Sequence, residues 1–517
     1  VTVGSRTKQL DILYTRLYAL RRQVLQEGID LFETWKPCIR RKSFLYSALN
    51  LAFYLALRSH DLRALQRDLL PLGLSSLGRS EARAIANLDA VIASLGRICN
   101  KDKSELINYP SQKMFFYGDK LLNHNTTLIF GGTPASCYTH IMVTLPTEAA
   151  YNYAMIHDLL KAGMDSARIN CAHDTPAIWL KMINHIHHAE RDIGRNCKIY
   201  MDLGGPKSRI AEILVKDSES RITTGDCLFL ASGKISDYPS DYTGPIVITC
   251  SIPEIFETLK PGDPILIDDG KVQATVISLT DKGAYLKITY TKPKGSKLKS
   301  QKSLNFPQTP LHVSPLTKKD LKDLDFIASY ANAIGFSFVK TAEDIRLLQE
   351  EIQKRRGAES DGIAIIAKIE TKEAVDHLPE IIVQAASKQP FGVMIARGDL
   401  AVEVGYQRLS ELQEEILWIC EAAHIPVIWA TQVLENMVKT GLPSRAEITD
   451  AAMSERAECV MLNKGPYIVK AVMFLADILN RMEQHIYKKA PRLKALHIAV
   501  DTLKASKIQK IFNFGLY

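Results

Sequence analysis

Lys368 and Glu370 stand two residues apart at the end of the apolar run Ile363–Ile369. On a strand such a pair projects to the same side, so an ammonium and a carboxylate share one face. Asp399 follows another apolar run, Gly392–Ala396. Glu370 and Asp399 can bring two hard oxygen ligands to one divalent cation, and two carboxylates with waters and a phosphorylated substrate is how Mg²⁺ is usually held. Lys368, Arg168 and that metal would form a positive clamp on a transferring phosphoryl group. The backbone N–H groups of Gly398 and Asp399, which an expected loop separates from the helical region around Leu409, can bind a carboxylate. Arg168, Asn170, His173, Asp202, Lys207, Arg209, Arg397, Thr431 and Gln432 also fall at the ends of apolar runs or just beyond them. Counting Lys368, Glu370 and Asp399 with them, nine rim positions are ionisable, where a purely structural rim would carry apolar or small residues.

The elements that position them alternate. From about residue 138 the apolar runs Ile141–Thr144, Ala167–Cys171, Lys198–Leu203, Gly335–Val339, Ile363–Ile369, Gly392–Ala396, Pro426–Ala430 and Cys459–Leu462 read as eight strands. Most are followed by helix-length amphipathic runs: Ala149–Ala162, Pro176–Arg191, Glu343–Arg355, Lys372–Ala385, Leu409–Ala423, Arg445–Glu455 and Tyr467–Gln484. Eight strand–helix units predict an α/β fold, a (β/α)₈ TIM barrel, with its functional residues at the C-terminal ends of the strands. The third unit is interrupted between Leu203 and Ser314 by a segment rich in Gly, Pro, Thr, Ile and Val, with runs such as Pro245–Thr249, Gln273–Ile277 and Ala284–Tyr290, read as an inserted all-β lid domain. Thr317 and Asp320 form a capping box that reopens the barrel. Residues 136–206 and 314–487 then supply 245 residues, against about 250 for a typical barrel. The expected boundaries are an N-terminal helical domain over 1–135, barrel parts over 136–206 and 314–487, the lid over 207–313, and a short tail over 488–517 that is basic and helix-like.

The 517 residues are 46% hydrophobic and 24% charged, with a formal net charge of +8. Those values exclude wholesale disorder and a collagen-like chain. Ten Lys/Arg against four Asp/Glu in residues 1–60, and five lysines in 292–302, leave a basic enzyme, a nucleic-acid binder and a membrane-surface protein open. Residues 1–105 read as helical, with runs at Leu62–Leu77 and Glu81–Ile98, and their basic residues read as a solvated face, because no nucleic-acid-reading motif accompanies them. The longest apolar stretch, Phe44–Leu57, is too short for the roughly 20 residues that cross a bilayer and reads as a buried helix. Nine scattered cysteines without a CxxC pair point to a reduced, intracellular protein without a disulfide framework. His185, His187 and His188 share a helix but no carboxylate or cysteine spacing, so a solvated face is expected there rather than a metal site.

The chain resembles the pyruvate kinase family over roughly residues 138–485. The matching motifs are Ala167-Arg168-Ile169-Asn170 with His173, Asp202 with Gly205-Pro206, Leu266-Ile267-Asp268-Asp269-Gly270, Ser337-Phe338-Val339, Ala367-Lys368-Ile369-Glu370, Met394 through Leu400, Ala430-Thr431-Gln432 followed by Leu434-Glu435, and Pro443 through Glu447. The resemblance implies phosphoryl transfer from phosphoenolpyruvate to ADP, giving pyruvate and ATP. It implies Glu370 and Asp399 as ligands of Mg²⁺ (or Mn²⁺), and Lys368 and Arg168 on the phosphoryl group. Gly398, Asp399 and Thr431 would hold the substrate carboxylate, with Thr431 also on the route that protonates the enolate. Arg209, Lys302, Asn170 and His173 would serve the nucleotide, and Asp268 the closing lid.

Several positions depart from the family pattern. Lys207 stands where potassium-dependent members carry Glu, and Ala172 replaces a potassium-ligating serine, so Lys207 is expected to substitute for the monovalent cation and K⁺ not to be required. Asn463-Lys464-Gly465-Pro466 replaces a Ser-Gly-Glu-Thr run, and Thr144-Leu145-Pro146-Thr147 replaces Thr-Ile-Gly-Pro. The family's nucleotide-side tyrosine maps to Ile178, beside Trp179. Only about thirty residues follow the last expected barrel helix, so the family's C-terminal domain and its sugar-phosphate control are not expected. The N-terminal helices would cap the barrel or recruit a partner. Phosphoenolpyruvate and a nucleoside diphosphate are the expected partners, without nucleic acid or membrane, with a homo-oligomer through barrel contacts possible and a cytoplasmic location expected, organellar targeting being left open. Two other functions stay open: a metal-dependent aldolase or lyase acting through a pyruvate enolate, and a catalytically impaired regulatory homologue.

Overall fold

The structure, a computed structural model, describes residues 3–74, 76–132, 138–215, 221–238, 242–311, 313–488 and 490–491. Eight parallel strands close into a barrel: β1 (His140–Thr144), β2 (Ser166–Asn170), β3 (Lys198–Asp202), β4 (Ala333–Phe336), β5 (Ala364–Ile369), β6 (Phe391–Ala396), β7 (Val427–Ala430) and β8 (Cys459–Leu462). Each pairs with its sequence neighbour, and β8 returns to β1. The apolar runs are continuous because both faces are buried. On alternate residues Ile141, Val143, Ile199, Met201, Ile365 and Ala367 face the surrounding helices, while Met142, Tyr200, Ile366, Met394 and Ile428 fill the interior.

The helix expected to open at Thr317 does so: the Thr317 hydroxyl caps the Asp320 N–H and the Asp320 side chain returns to the Thr317 N–H over Lys318–Tyr330. Strand four is shifted from its expected Gly335–Val339 to Ala333–Phe336. The chain leaves the sheet at Ser337 because Phe338 takes a left-handed conformation, φ 55°, which no ladder accommodates. The expected loop after Gly398-Asp399 is instead a helix, Arg397–Val404, ended by Gly405 at φ 84° before Tyr406–Ala422 begins. The expected Leu62–Leu77 helix is also broken. It runs only over Arg63–Leu69, where Pro71 and left-handed Gly73 divert the chain.

The inserted segment forms a separate seven-stranded sheet from Ile210–Leu214 through Leu304–Asn305, with its own core that includes Leu228, Ile248, Ile265, Val276 and Leu286. Ahead of the barrel, the helices Val3–Trp35, Leu45–Arg58 and Ala84–Ile98 pack on one another through Leu17, Val24, Leu57, Leu88 and Leu95. A further helix, Tyr117–Phe130, was not anticipated. Its last residues, Ile129 and Phe130, join the interior barrel cluster with Met142, Tyr200 and Ile366, so this helix closes the end of the barrel opposite the strand C-termini.

Polar contacts fix that arrangement. His424, which lies between Tyr406–Ala422 and β7, is fully buried. Its Nε2 meets the Ala82 carbonyl at 3.0 Å, its Nδ1 meets the Ser47 hydroxyl at 2.9 Å, and Tyr46 stacks on its ring. The Asn50 amide donates to the Glu81 and Ala422 carbonyls, and Asn125 donates to the His424 carbonyl. These are barrel-to-helix contacts that no periodicity encodes. The expected helix-like tail is corrected over its described part: Ile486–Tyr487 pairs antiparallel with Ala490–Pro491, and between them Lys488 forms an ion pair with Glu458. Residues 489 and 492–517 lie outside the described residues. No described helix is long and apolar enough to cross a membrane.

Candidate active site

The strand C-termini converge on a pocket of about 200 Å³ whose lining includes Arg168, Asn170, Asp202, Lys207, Arg209, Lys368, Glu370, Asp399 and Thr431. Asp202, at the end of β3 and 1% exposed, is its electrostatic hub. Arg168 donates to Asp202 Oδ2 through Nε at 3.1 Å and also through Nη2. Lys368 Nζ lies 3.3 Å from the same oxygen and 3.1 Å from Glu370 Oε1. Arg168 Nη1 also donates to the Thr144 hydroxyl at 3.0 Å.

Two cations and two carboxylates therefore share a dry cluster in which each offsets the desolvation of the others. Burial alone would push the Lys368 ammonium below its ordinary value, but Asp202 and Glu370 reverse that and hold it above. The same competition raises Arg168, chiefly through Asp202. Asp202 is held below the usual carboxylate range, because Lys368 and Arg168 overcome its burial. Glu370 goes the other way: burial raises it, Lys368 opposes, and the charge of Asp399 adds to the rise.

Local backbone geometry presents these groups. Ser337, just past β4, accepts from Lys368 Nζ at 2.8 Å and donates to the Leu203 carbonyl at 2.8 Å. The left-handed Phe338 points its N–H at Glu370 Oε2, 2.6 Å away. After β7 the chain runs through Thr431, Gln432 and Leu434, all at positive φ, a conformation that costs of order 1–3 kcal/mol per residue and persists only where neighbours fix it. Arg397 does so here: it donates to the carbonyls of Ala430 at 2.8 Å and Thr431 at 2.6 Å, pairs with Asp450 and stacks on Trp429. The Thr431 hydroxyl then accepts from the Gly398 N–H at 2.9 Å, so Thr431 stands at the first turn of the Arg397–Val404 helix, where unpaired N–H groups favour an anion.

Lys207 turns into the pocket and reaches Asp399 Oδ1 at 2.6 Å. His173 lies next door, in a cavity of about 300 Å³ that shares Arg168, Asn170 and Asn463 and adds Asp174, Glu435, Lys439 and Lys464. Trp179, beside the position expected to face the nucleotide, is a fully buried core residue whose indole donates to the His173 carbonyl. Lys302 and Asp268 do not join the pocket: they pair with each other at 2.9 Å within the inserted sheet. Arg209 lines the pocket while donating to the neighbouring Gln301 carbonyl.

Glu370 and Asp399 offer hard carboxylate oxygens to one cavity, and the charge of one disfavours the other, a donor set that fits a divalent cation completed by water and phosphate oxygens. Among the described residues there is no cluster of three or more His, Cys, Asp or Glu side chains able to hold a metal ion; on the helix Pro176–Ile193, His187 and His188 are exposed and His185, half-buried, meets the Ala149 carbonyl. Tyr200, Ser337 and Thr144 also join the site, although the sequence pattern assigns them no role. The signals for them are the place of Tyr200 two residues before Asp202, on the same face of the strand, and that of Ser337 in the Ser337-Phe338-Val339 run.

Comparison with known proteins agrees with this geometry. The family model described as pyruvate kinase, barrel domain, matches residues 137–472. The chain belongs to the pyruvate kinase family. Pyruvate kinase of Agrobacterium vitis is 33% identical over 361 residues, covering 67% of this chain and 70% of that protein. Pyruvate kinase 1 of Trypanosoma brucei brucei is 30% identical over 371 residues, 69% of this chain and 70% of the relative. Pyruvate kinase of Clostridium perfringens (strain 13 / Type A) is 29% identical over 341 residues, 64% and 68%. By family this chain is a pyruvate kinase-like phosphotransferase.

Proposed function

We propose that the barrel pocket transfers a phosphoryl group from phosphoenolpyruvate to a nucleoside diphosphate, with ADP as the expected acceptor, giving pyruvate and ATP. The observation that carries this reading is the pairing of Arg168 and Lys368 on Asp202 beside the carboxylates Glu370 and Asp399, around one small cavity. The Gly398 and Asp399 N–H groups and the Thr431 hydroxyl bind the substrate carboxylate at the helix N-terminus. Arg168 and Lys368 face the phosphoryl group and stabilise the charge on its oxygens as it moves. Glu370 and Asp399 would hold Mg²⁺ or Mn²⁺, which when bound would supply further charge neutralisation to the phosphoryl group. When the phosphoryl leaves, the enolate takes a proton from solvent at its terminal carbon, by a route on which Thr431 would lie.

Arg209, Asn170 and His173 border the acceptor side, and Lys302 and Asp268 in the inserted sheet approach it only if that sheet closes as a lid over the pocket. Lys207, paired with Asp399 and without a serine at position 172, supplies the positive charge of a monovalent cation, so K⁺ is not required. The test is a coupled assay of phosphoenolpyruvate with a panel of nucleoside diphosphates in Mg²⁺, without K⁺. Turnover with ADP supports the reading. Retained phosphoenolpyruvate binding with no turnover on any acceptor overturns it in favour of an impaired regulatory homologue.

A further inference from the structure

Tyr200 stands inside the barrel on β3, 2% exposed, and its hydroxyl donates to Asp202 Oδ1 at 3.0 Å. The other carboxylate oxygen, Oδ2, takes Arg168 and Lys368. The two oxygens are thus used differently, and a donor on Oδ1 fixes which one faces the cations. Position 335 on the adjacent strand β4 reinforces the point. Gly335 is in register with Asp202, and a Cβ there would overlap both the Tyr200 hydroxyl and Asp202 Oδ1. Gly335 is not among the residues at positive φ, so its missing side chain serves space rather than backbone conformation. The phenol stays a donor at every working pH, because burial and then the charge of Asp202 push its pKa well above 10. Its ring is fixed in the interior cluster with Met142, Ile366, Met394 and, from the N-terminal helices, Ile129 and Phe130.

We infer that Tyr200 is a positioning residue for phosphoryl transfer: its hydroxyl holds the Asp202 carboxylate so that Oδ2 sets the places of Arg168 and Lys368. This rests on the phosphotransferase reading above and assigns that reading a residue beneath the pocket, out of contact with substrate. It also gives the N-terminal helices a part in the site, since the floor they build carries the tyrosine ring.

The test starts from Tyr200→Phe, which removes one oxygen and keeps the ring. In the coupled assay with phosphoenolpyruvate and ADP, kcat falls about tenfold while KM for phosphoenolpyruvate changes less than twofold, the pattern of an interaction needed in the transition state and not in ground-state binding. Tyr200→Phe combined with Asp202→Asn is no slower than Asp202→Asn alone. A kcat for Tyr200→Phe within twofold of the parent, or a double variant slowed by the product of the single effects, overturns the inference. If the parent chain itself turns over no acceptor, the functional reading fails separately, and melting decides the role of the hydroxyl. Tyr200→Phe then lowers the melting temperature of the parent but not of Asp202→Ala, or of Asp202→Asn should the alanine chain fail to fold. Equal shifts in both backgrounds refute the link to Asp202.

Discussion

His424 ties the helical N-terminal part to the barrel, and its chemistry makes that tie sensitive to acid. The ring is enclosed by Ser47, Tyr46, the Ala82 carbonyl and Gly118, where a Cβ would overlap both Ala82 O and Nε2. Burial, reinforced by the nearby Arg83 guanidinium and opposed by the Ala82 hydrogen bond, pushes the imidazole from its ordinary 6.5 down to about 4. Nε2 therefore carries the proton donated to Ala82, and Nδ1 accepts from Ser47. The unfolded chain binds a proton below about 6.5 and the folded chain only near 4, so the unfolded state holds more protons between those values. Stability from this group is full above pH 6.5 and is lost as pH falls toward 4. At about 1.4 kcal/mol per pKa unit, the loss is about 2 kcal/mol between pH 7 and pH 5 and about 3 kcal/mol by pH 4. His424→Gln keeps a donor and an acceptor but does not titrate. Urea unfolding of both proteins, followed by far-ultraviolet circular dichroism at pH 7 and pH 5, isolates the term, because every other group titrates alike in the two chains. The expected result is a parent that loses about 2 kcal/mol more than the variant over that interval. Equal losses refute the neutral, doubly hydrogen-bonded histidine.

Lys368→Met removes the cation between Asp202 and Glu370; kcat falls at least 10²-fold, and the melting temperature falls as well because two buried carboxylates lose a partner. Thr431→Val deletes the acceptor of the Gly398 N–H and one contact to the substrate carboxylate, so kcat/KM for phosphoenolpyruvate drops by about tenfold or more, read in the same coupled assay. Replacing K⁺ with tetramethylammonium leaves parent turnover unchanged, whereas Lys207→Ala loses about tenfold or more in the K⁺-free buffer. Phe130→Ala opens the barrel floor and costs about 3–5 kcal/mol by urea unfolding, large enough to show whether the N-terminal helices and barrel unfold as one unit.

Much of the barrel was legible because its strands are buried on both faces. Ile363–Ile369 and Gly392–Ala396 are apolar runs with no competing reading, and the observed β5 and β6 differ from them by one residue at the start. The rim charges were legible for a related reason: Lys368 and Asp202 stand at the C-terminal ends of such runs, where apolar packing would not place them. The errors fall where tertiary contacts override local pattern. Gly335–Val339 reads as a strand, yet the chain leaves it at Ser337 because Phe338 must turn its N–H to Glu370. A loop is expected between Gly398-Asp399 and Leu409, but the chain there is already helical, with Gly398 and Asp399 in the first turn of Arg397–Val404, where their low interior propensity does not apply. The helix Tyr117–Phe130 was missed because its buried face, with Asn125, Thr126, Ile129 and Phe130, mixes amides and hydroxyls with apolar groups. The Asn125 amide is satisfied far away in the sequence, at the His424 carbonyl, while the Thr126 hydroxyl donates back to the Leu122 carbonyl within the helix.

The charge excess shows the same division between local and distant causes. In the N-terminal part, Arg21 pairs with Asp89, Arg83 with Asp119, and Arg58 stacks on Trp418. Their roles are to join helices to one another and to the barrel. At the rim, Arg168 and Lys368 are each balanced by a carboxylate, so that pair adds no net charge with Asp202 and Glu370. A net charge of +8 is therefore a poor guide to where an anion binds. The useful quantity is the set of donors that remain after internal pairing. In this pocket Lys368 already faces Asp202, Glu370 and Ser337, and the Gly398 N–H is placed on Thr431, so the donors left over belong to the Arg168 guanidinium. An incoming phosphate can take the remaining Arg168 N–H groups without breaking a contact, whereas a phosphate at Lys368 or a carboxylate at Gly398 must exchange an internal acceptor for a substrate oxygen.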